Sequence, residues 1–326
     1  MNKMEPLLEV KGLQKYFPIR SGALKKTTGY VRAVDGIDLT VYPGETVGIV
    51  GESGCGKSTT GRTILRLLEP TAGEVWFNGK DLARLSKEEM RRTRKDIQMV
   101  FQDPFASLNP RQTIKQILLE SLEVHGIGTK AERLKTVEEI IEVVGLQKEH
   151  LNRHPHDFSG GQRQRIGIAR ALVLKPKLII ADEPVSALDV SIQSQILNLL
   201  KDLKKDFNLT LLFISHDLSV VKHICDRVAV MYLGRVVEIA DKQTLFKNPS
   251  HPYTQALLSA VPQANPNVKR ERIILKGDLP SPANPPSGCT FHPRCIHATE
   301  ECKTAVPHLQ DIGDGQLVSC HLLKGR

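Results

Sequence analysis

Residues 51–58, "GESGCGKS", carry the spacing Gly-x-x-x-x-Gly-Lys-Ser, which suits the cradling of a nucleotide phosphate. Gly51 and Ser53 open the loop. Backbone N–H groups from Gly54 to Thr59, with Cys55 at a variable position and Gly56 between them, are expected to point at the β-phosphate. Lys57 is expected to reach the β/γ oxygens, and Ser58 to ligate Mg²⁺. A second constellation is the carboxylate pair Asp182-Glu183 in "KLIIADEP". Beside a phosphate loop, Asp182 suits a water bound to Mg²⁺, and Glu183 is placed to orient or deprotonate the attacking water. A third is Cys289, Cys295, Cys302 and Cys320, spaced C-x₅-C-x₆-C-x₁₇-C. This is neither the C-x₂₋₄-C pairing of zinc fingers nor the tight ferredoxin run. The spacing points to four thiolates around metal and leaves the metal open.

These residues need elements to hold them. "TVGIV" reads as a buried strand before the loop, and "STTGRTILRLL" as a helix with Ile64, Leu65, Leu67 and Leu68 on its apolar face. "KLIIA" reads as a second buried strand that delivers Asp182. In "DFSGGQRQRIGIARAL", Ser159-Gly160-Gly161-Gln162 leads straight into a helix and forms a second anion-binding helix start. "VFQDP" places Gln102 after a short apolar stretch, "SALD" gives Asp189, and "LLFISHD" ends a strand at His216. His251 in "HPY" reads as a loop residue, Cys225 as buried core, and the proline-rich "LPSPANPPSG" as a connector.

Composition narrows the classes. With 326 residues, the chain has room for about two domains, and 40% apolar with 25% charged is globular usage. A net charge of +9 allows nucleic acid, anionic lipid or nucleotide as partners, but much of it sits in runs such as Arg91 to Lys95 that read as solvated faces. Aromatics are only 5%, which argues against a base-stacking surface. The opening residues lack the apolar core of a secretory signal, and no stretch approaches the roughly 20 apolar residues of a membrane span. A cytosolic chain is expected, where clustered cysteines bind metal more often than they form disulfides.

In order, the motifs are phosphate loop, Gln102, Ser159-Gly160-Gly161-Gln162, Asp182-Glu183, Asp189 and His216. That set resembles the ATP-binding cassette (ABC) ATPases over residues 7–245, with Phe158 standing where leucine is common. The resemblance implies an α/β phosphate-loop core with a small antiparallel sheet and a helical subdomain inserted at about 103–170. It implies head-to-tail dimers in which the phosphate loop of one subunit faces the Ser-Gly-Gly-Gln of the other. Gln102 would sense the γ-phosphate through Mg²⁺ or water, His216 would contact it, and Phe17 or Tyr16 would stack on adenine, with Phe17 favoured. The tail, 246–326, with "NPSHPYTQALLSAVP" and "GDLPSPANPPSGCTFHPRC", resembles the C-terminal extension of oligopeptide/dipeptide permease ATPases, F-type. This implies ATP-driven peptide import at the cytoplasmic face of the membrane. The partners implied are a D-type ATPase, two membrane permease subunits and an extracytoplasmic peptide-binding protein, with no nucleic acid. It also implies a [4Fe–4S] cluster on the four cysteines, with zinc as the alternative and His292, His297 or His321 able to replace a thiolate. Relatives of that kind import nickel, glutathione or cationic peptides, and a soluble nucleic-acid-handling or regulatory ATPase is the reading from a different class. Because the tail is remote in sequence from every phosphate motif, a mainly structural role is expected for it.

Overall fold

The computed structural model describes residues 5–22, 26–261 and 272–323. Residues 1–4, 23–25, 262–271 and 324–326 lie outside them, Pro262 of the tail phrase included. The chain runs β1 (Leu8–Ser21), β2 (Lys26–Val41), β3 (Thr46–Val50), α1 (Lys57–Ile64), β4 (Ala72–Phe77), β5 (Lys80–Asp81), α2 (Lys87–Thr93) and β6 (Ile97–Val100). It continues through α3 (Pro104–Ser107), α4 (Ile114–Val124), α5 (Lys130–Val143), α6 (Gly160–Leu172), β7 (Leu178–Asp182), α7 (Val190–Phe207), β8 (Thr210–Ser215) and α8 (Leu218–Ile224). The last elements are β9 (Arg227–Tyr232), β10 (Arg235–Asp241), α9 (Lys242–Lys247), α10 (Pro252–Ser259), α11 (Glu300–Thr304), β11 (Gln310–Asp311) and β12 (Leu317–Val318). Two compact units emerge: one of Met1–Val41, Thr46–Ala83 and Ser215–Arg326, the other of Tyr42–Glu45 and Arg84–Ile214.

In the first unit, β2-β1-β4-β5 form an antiparallel sheet. β3 pairs in parallel with β9, and β10, β12 and β11 follow antiparallel. Every residue of β3 is buried, as expected of a strand covered on both faces. In the second unit, β6, β7 and β8 pair in parallel, and α3 to α6 fill the stretch between β6 and β7. Two of these helices announce themselves locally. Thr113 with Gln116, and Thr129 with Glu132, form reciprocal capping boxes at α4 and α5. Behind them Ile114, Ile117, Leu118 and Leu122 of α4, and Val137, Ile140 and Ile141 of α5, turn to the core at helical spacing. Among the described residues, no helix is long and apolar enough to cross a membrane.

One expected boundary moves. Apolar spacing carries the phosphate-loop helix to Leu68, but α1 stops at Ile64. Arg66 adopts a left-handed backbone, φ 52°, and the N–H groups of Leu67 and Leu68 both turn back to the Arg62 carbonyl. That closure, followed by Pro70, ends the helix. Ile64 and Leu65 are buried, whereas Leu67 faces outward.

The tail is anchored around one buried carboxylate. Glu238 of β10 accepts N–H bonds from Ser250 and His251, both at 2.9 Å, and the Gln316 amide at 2.6 Å. β12 extends the sheet beside it, with Glu238 opposite Val318. The proline-rich stretch, free of helix and strand over 272–291, offers its Pro282 carbonyl to the Arg32 N–H of β2 at 2.9 Å. His251 is no loop residue in the solvated sense. It is fully buried and caps α10, with Nδ1 accepting the Tyr253 N–H at 3.0 Å and Pro252 at the first helical position. Burial pushes its pKa down to about 3, against about 6.5 in the unfolded chain.

A pH dependence follows. Between those two values the unfolded state binds a proton that the native state refuses, so stability falls as pH drops below about 6.5, by up to about 1.4 kcal/mol per pH unit. Denaturant midpoints measured from pH 7 to 5 are expected to fall less steeply for His251→Asn, which retains a capping side chain, than for the native protein. Parallel profiles would contradict this assignment.

Candidate functional site

The phosphate loop follows β3 and opens α1 at Gly56. Gly56 has a φ of 103°, a backbone conformation that favours glycine whether or not phosphate approaches. A Cβ there would lie 2.0 Å from the Ala33 carbonyl of β2 and 2.8 Å from Met231. Packing inside the protein therefore demands this glycine before any ligand does. Lys57 is only 4% exposed, and its Nζ donates to the carbonyls of Gly51 at 2.9 Å and Glu52 at 3.0 Å. Ser53 and Gly54 are exposed, while Ser58 and Thr59 are half-buried. Burial pushes the Cys55 thiol up to about 11, which leaves it inert.

Two aromatic candidates occupy adjacent positions of β1 and so point to opposite faces. The Tyr16 hydroxyl donates to Asp35, which Arg235 also grips at 2.7 Å, and Arg32 sits over the Tyr16 ring at 5.7 Å. Burial and Asp35 together push the Tyr16 phenol up to about 12. Lys15 lies over the half-buried Phe17 ring, at 5.1 Å. Tyr16 is committed to a polar network, and Phe17 is the more available ring.

In the second unit, fully buried Asp182 ends β7. Glu183 follows it in a left-handed conformation, φ 45°, a strain on the order of 1–3 kcal/mol that concentrates at active sites. The turn is held on three sides. Its N–H donates to the Ile214 carbonyl at 3.0 Å, its carbonyl accepts the Ser186 N–H and hydroxyl at 3.2 and 3.1 Å, and Gln102 Nε2 donates to its carboxylate at 3.0 Å. Gln102 and Glu183, 81 residues apart in sequence, thus meet directly.

Ser159 caps α6. Its hydroxyl accepts the Gln162 N–H at 3.3 Å, and the Gln162 side chain returns to the Ser159 N–H at 3.0 Å. A Cβ on Gly161 would lie 2.5 Å from the Ile192 side chain of α7, so this glycine lets the two helices close. Gly160 faces Leu188 more loosely, and Phe158 is buried against His150. Asp189 caps α7 by accepting the Ile192 N–H at 3.0 Å and the Ser191 hydroxyl at 2.8 Å. Those donors, Ile192 first, hold its carboxyl below the ordinary range. His216 is exposed just after β8.

The four tail cysteines share one neighbourhood. The Cys289 N–H donates to the Cys302 carbonyl at 2.8 Å. Burial pushes the Cys320 thiol up to about 11, and the charges of Cys289, Cys295 and Cys302 add to that shift. Burial likewise raises the thiols of Cys289 and Cys295. Among the described residues, no group of three or more His, Cys, Asp or Glu side chains is placed to hold a metal ion as it stands. Of the histidines that could substitute, His292 Nδ1 pairs with the Cys289 carbonyl and His321 Nε2 with the Ala305 carbonyl, both at 2.9 Å, while His297 is exposed.

Sequence reasoning missed three residues. The Glu52 N–H donates to the Tyr253 hydroxyl at 3.0 Å, and the Glu52 carboxylate pairs with Arg294 at 2.9 Å. The tail is remote from the phosphate loop in sequence but adjacent in space. Only the tyrosine of "HPY" could have hinted at this, since a buried Tyr needs a hydrogen-bond partner.

Residues 34–186 match the family model "ABC transporter", and 237–302 match "Oligopeptide/dipeptide transporter, C-terminal region". The chain is 59% identical to the oligopeptide transport ATP-binding protein AppF of Bacillus subtilis, over 98% of each chain. It is 56% identical to a putative peptide import ATP-binding protein of Brucella ovis, over 97% of each. Among solved structures, it is similar to a dimeric ATP-binding cassette in a post-hydrolysis state bound to ADP and Pi, with TM-score 0.64 and 31% identity over 72% of this chain and 98% of that one. It is also similar to cbiO1 of Clostridium perfringens, part of an ABC transporter complex, with TM-score 0.64 and 29% identity over 75% of this chain and 92% of that one. With a phosphate-loop fold, an ATPase motif set in order and this likeness over nearly its whole length, the chain belongs to the ABC transporter ATP-binding proteins of the oligopeptide/dipeptide transport family.

Proposed function

We propose that this chain hydrolyses ATP to drive an importer of di- and oligopeptides at the cytoplasmic face of the membrane. The observation that carries the reading is the oligopeptide/dipeptide C-terminal region on the same chain as the cassette. In this reading 7–245 is the ATPase domain, α3 to α6 form its helical subdomain at about 103–170, and 246–326 is the permease-type extension. The backbone of 54–59 and Lys57 bind the ATP phosphates, with Phe17 on adenine. Ser58, Gln102 and Asp182 are suited by their oxygens to hold Mg²⁺, which when bound draws negative charge from the β/γ oxygens. Glu183 orients or deprotonates the attacking water, in a position fixed by Gln102, while His216 contacts the γ-phosphate. Ser159 to Gln162 and Asp189 complete the site of a partner subunit. That partner is a D-type ATPase, working with two membrane permease subunits and an extracytoplasmic peptide-binding protein. Co-purification tests this reading. The protein is expected to bind the detergent-extracted membrane pair, whereas a nucleic-acid protein would instead show affinity that falls steeply with salt.

The tail cysteines are proposed to hold one [4Fe–4S] cluster as a pin for a segment too short to build its own core. The donor set supports this: four thiols in one electrostatic neighbourhood, with His292 and His321 engaged by backbone carbonyls. Thiolates gathered in one place repel one another, and a bound cation offsets that repulsion. Protein purified without oxygen is expected to be brown and to contain about four irons per chain. Colourless protein with one zinc and no iron or sulfide would replace the cluster by zinc.

A further inference from the structure

Glu52 is a node that ties the C-terminal extension into the phosphate loop, and all three of its polar parts are engaged. Its N–H donates to the Tyr253 hydroxyl at 3.0 Å, and its carbonyl accepts Lys57 Nζ at 3.0 Å. Its carboxylate pairs with Arg294 Nη1 at 2.9 Å. The grip is built rather than incidental. The Arg294 side chain is 9% exposed and the Glu52 side chain 27%. Tyr253 is fully buried, its ring 4.7 Å from Tyr232 and 5.4 Å from Phe291. Phe291 is also buried and lies between Cys289 and Cys295, while Arg294 immediately precedes Cys295. The residues that reach the loop are therefore held by the α10 cap on one side and by the cysteine-bearing segment on the other. Lys57 is anchored to the same two carbonyls, Gly51 and Glu52, that this grip holds in place.

We infer that Tyr253 and Arg294 are positioning residues for ATP, fixing Glu52 and through it the phosphate loop and Lys57. The C-terminal extension is thereby part of the nucleotide site. The ion pair acts before chemistry: it holds the loop in one conformation whether or not phosphate is bound, so its loss weakens nucleotide affinity and spares the hydrolytic step at Glu183. Disorder in the cysteine segment reaches ATP affinity by the same route, which adds to the mainly structural role expected of the tail. The inference rests on residues 51–59 being the nucleotide loop.

The test is titration of the purified full-length chain with a fluorescent ATP analogue, together with KM and kcat of the assembled transporter. Failure of the native chain to bind nucleotide would refute the loop assignment itself. Given native binding, Arg294→Ala and Tyr253→Phe are each expected to weaken ATP about 5- to 20-fold, to raise KM in step and to leave kcat within about twofold. Arg294→Lys is expected to recover part of the loss. Glu52→Gln, which alters the loop and leaves the tail intact, is expected to reproduce the Arg294→Ala effect, and it decides the matter if the tail variants fail to fold. Unchanged affinity in Glu52→Gln and in every folded tail variant would overturn the inference. So would a fall in kcat with KM unchanged, the mark of a merely structural contribution to the active fraction.

Discussion

Glu183→Gln is expected to abolish ATP turnover while nucleotide stays bound. A positioned base contributes on the order of 10²–10⁴ in rate, and phosphate release by the assembled complex should fall by that factor. The substitution is nearly isosteric. Its amide oxygen can still accept from Gln102 Nε2, and the left-handed turn is held through backbone contacts to Ile214 and Ser186 that the change does not touch. What disappears is the carboxylate's capacity to take or orient a proton. Bound ATP then persists, and closed dimers accumulate. Hydrolysis near the native rate would remove Glu183 from the chemistry.

Lys57→Ala is expected to give the opposite pattern, with loss of binding rather than of turnover by bound nucleotide. The amine is buried and hydrogen-bonded to two loop carbonyls, so its removal takes away both a charge for the phosphates and an internal tie of the loop. Hydrogen bonds to charged groups contribute about 1.5–3 kcal/mol, equivalent to roughly 10- to 100-fold in affinity. Nucleotide titration of the two variants side by side separates the roles. Equal ATP affinity in Lys57→Ala and native protein would contradict the loop assignment.

The sequence made legible whatever depends on neighbours along the chain. β3 is a five-residue, fully buried strand before a glycine loop, Ser159 and Gln162 sit at capping-box spacing, and Asp182 ends an apolar strand; all three fold as their local patterns require. Long-range contacts between individually ordinary residues stayed hidden. Arg294 and Glu52 lie 242 positions apart, and Gln316 and Glu238 lie 78 apart. No period or motif couples them, because tertiary packing alone brings them together. The end of α1 was hidden for a different reason. Leu67 and Leu68 continue the apolar spacing, but Arg66 takes a left-handed conformation that spacing does not encode. Gly56 and Gly161 were recognised as motif residues, yet the atoms that exclude a side chain there, the Ala33 carbonyl and Ile192, come from β2 and α7.

Peptide uptake driven by ATP that this chain hydrolyses can be measured in proteoliposomes carrying the assembled complex. ATP is placed on the side of this subunit, and labelled peptide with its binding protein on the other. Peptide is expected to accumulate only with ATP, with ATP hydrolysis stimulated by peptide and both signals lost with Glu183→Gln. Peptide accumulation without ATP, or ATP hydrolysis indifferent to both peptide and the membrane subunits, would contradict it.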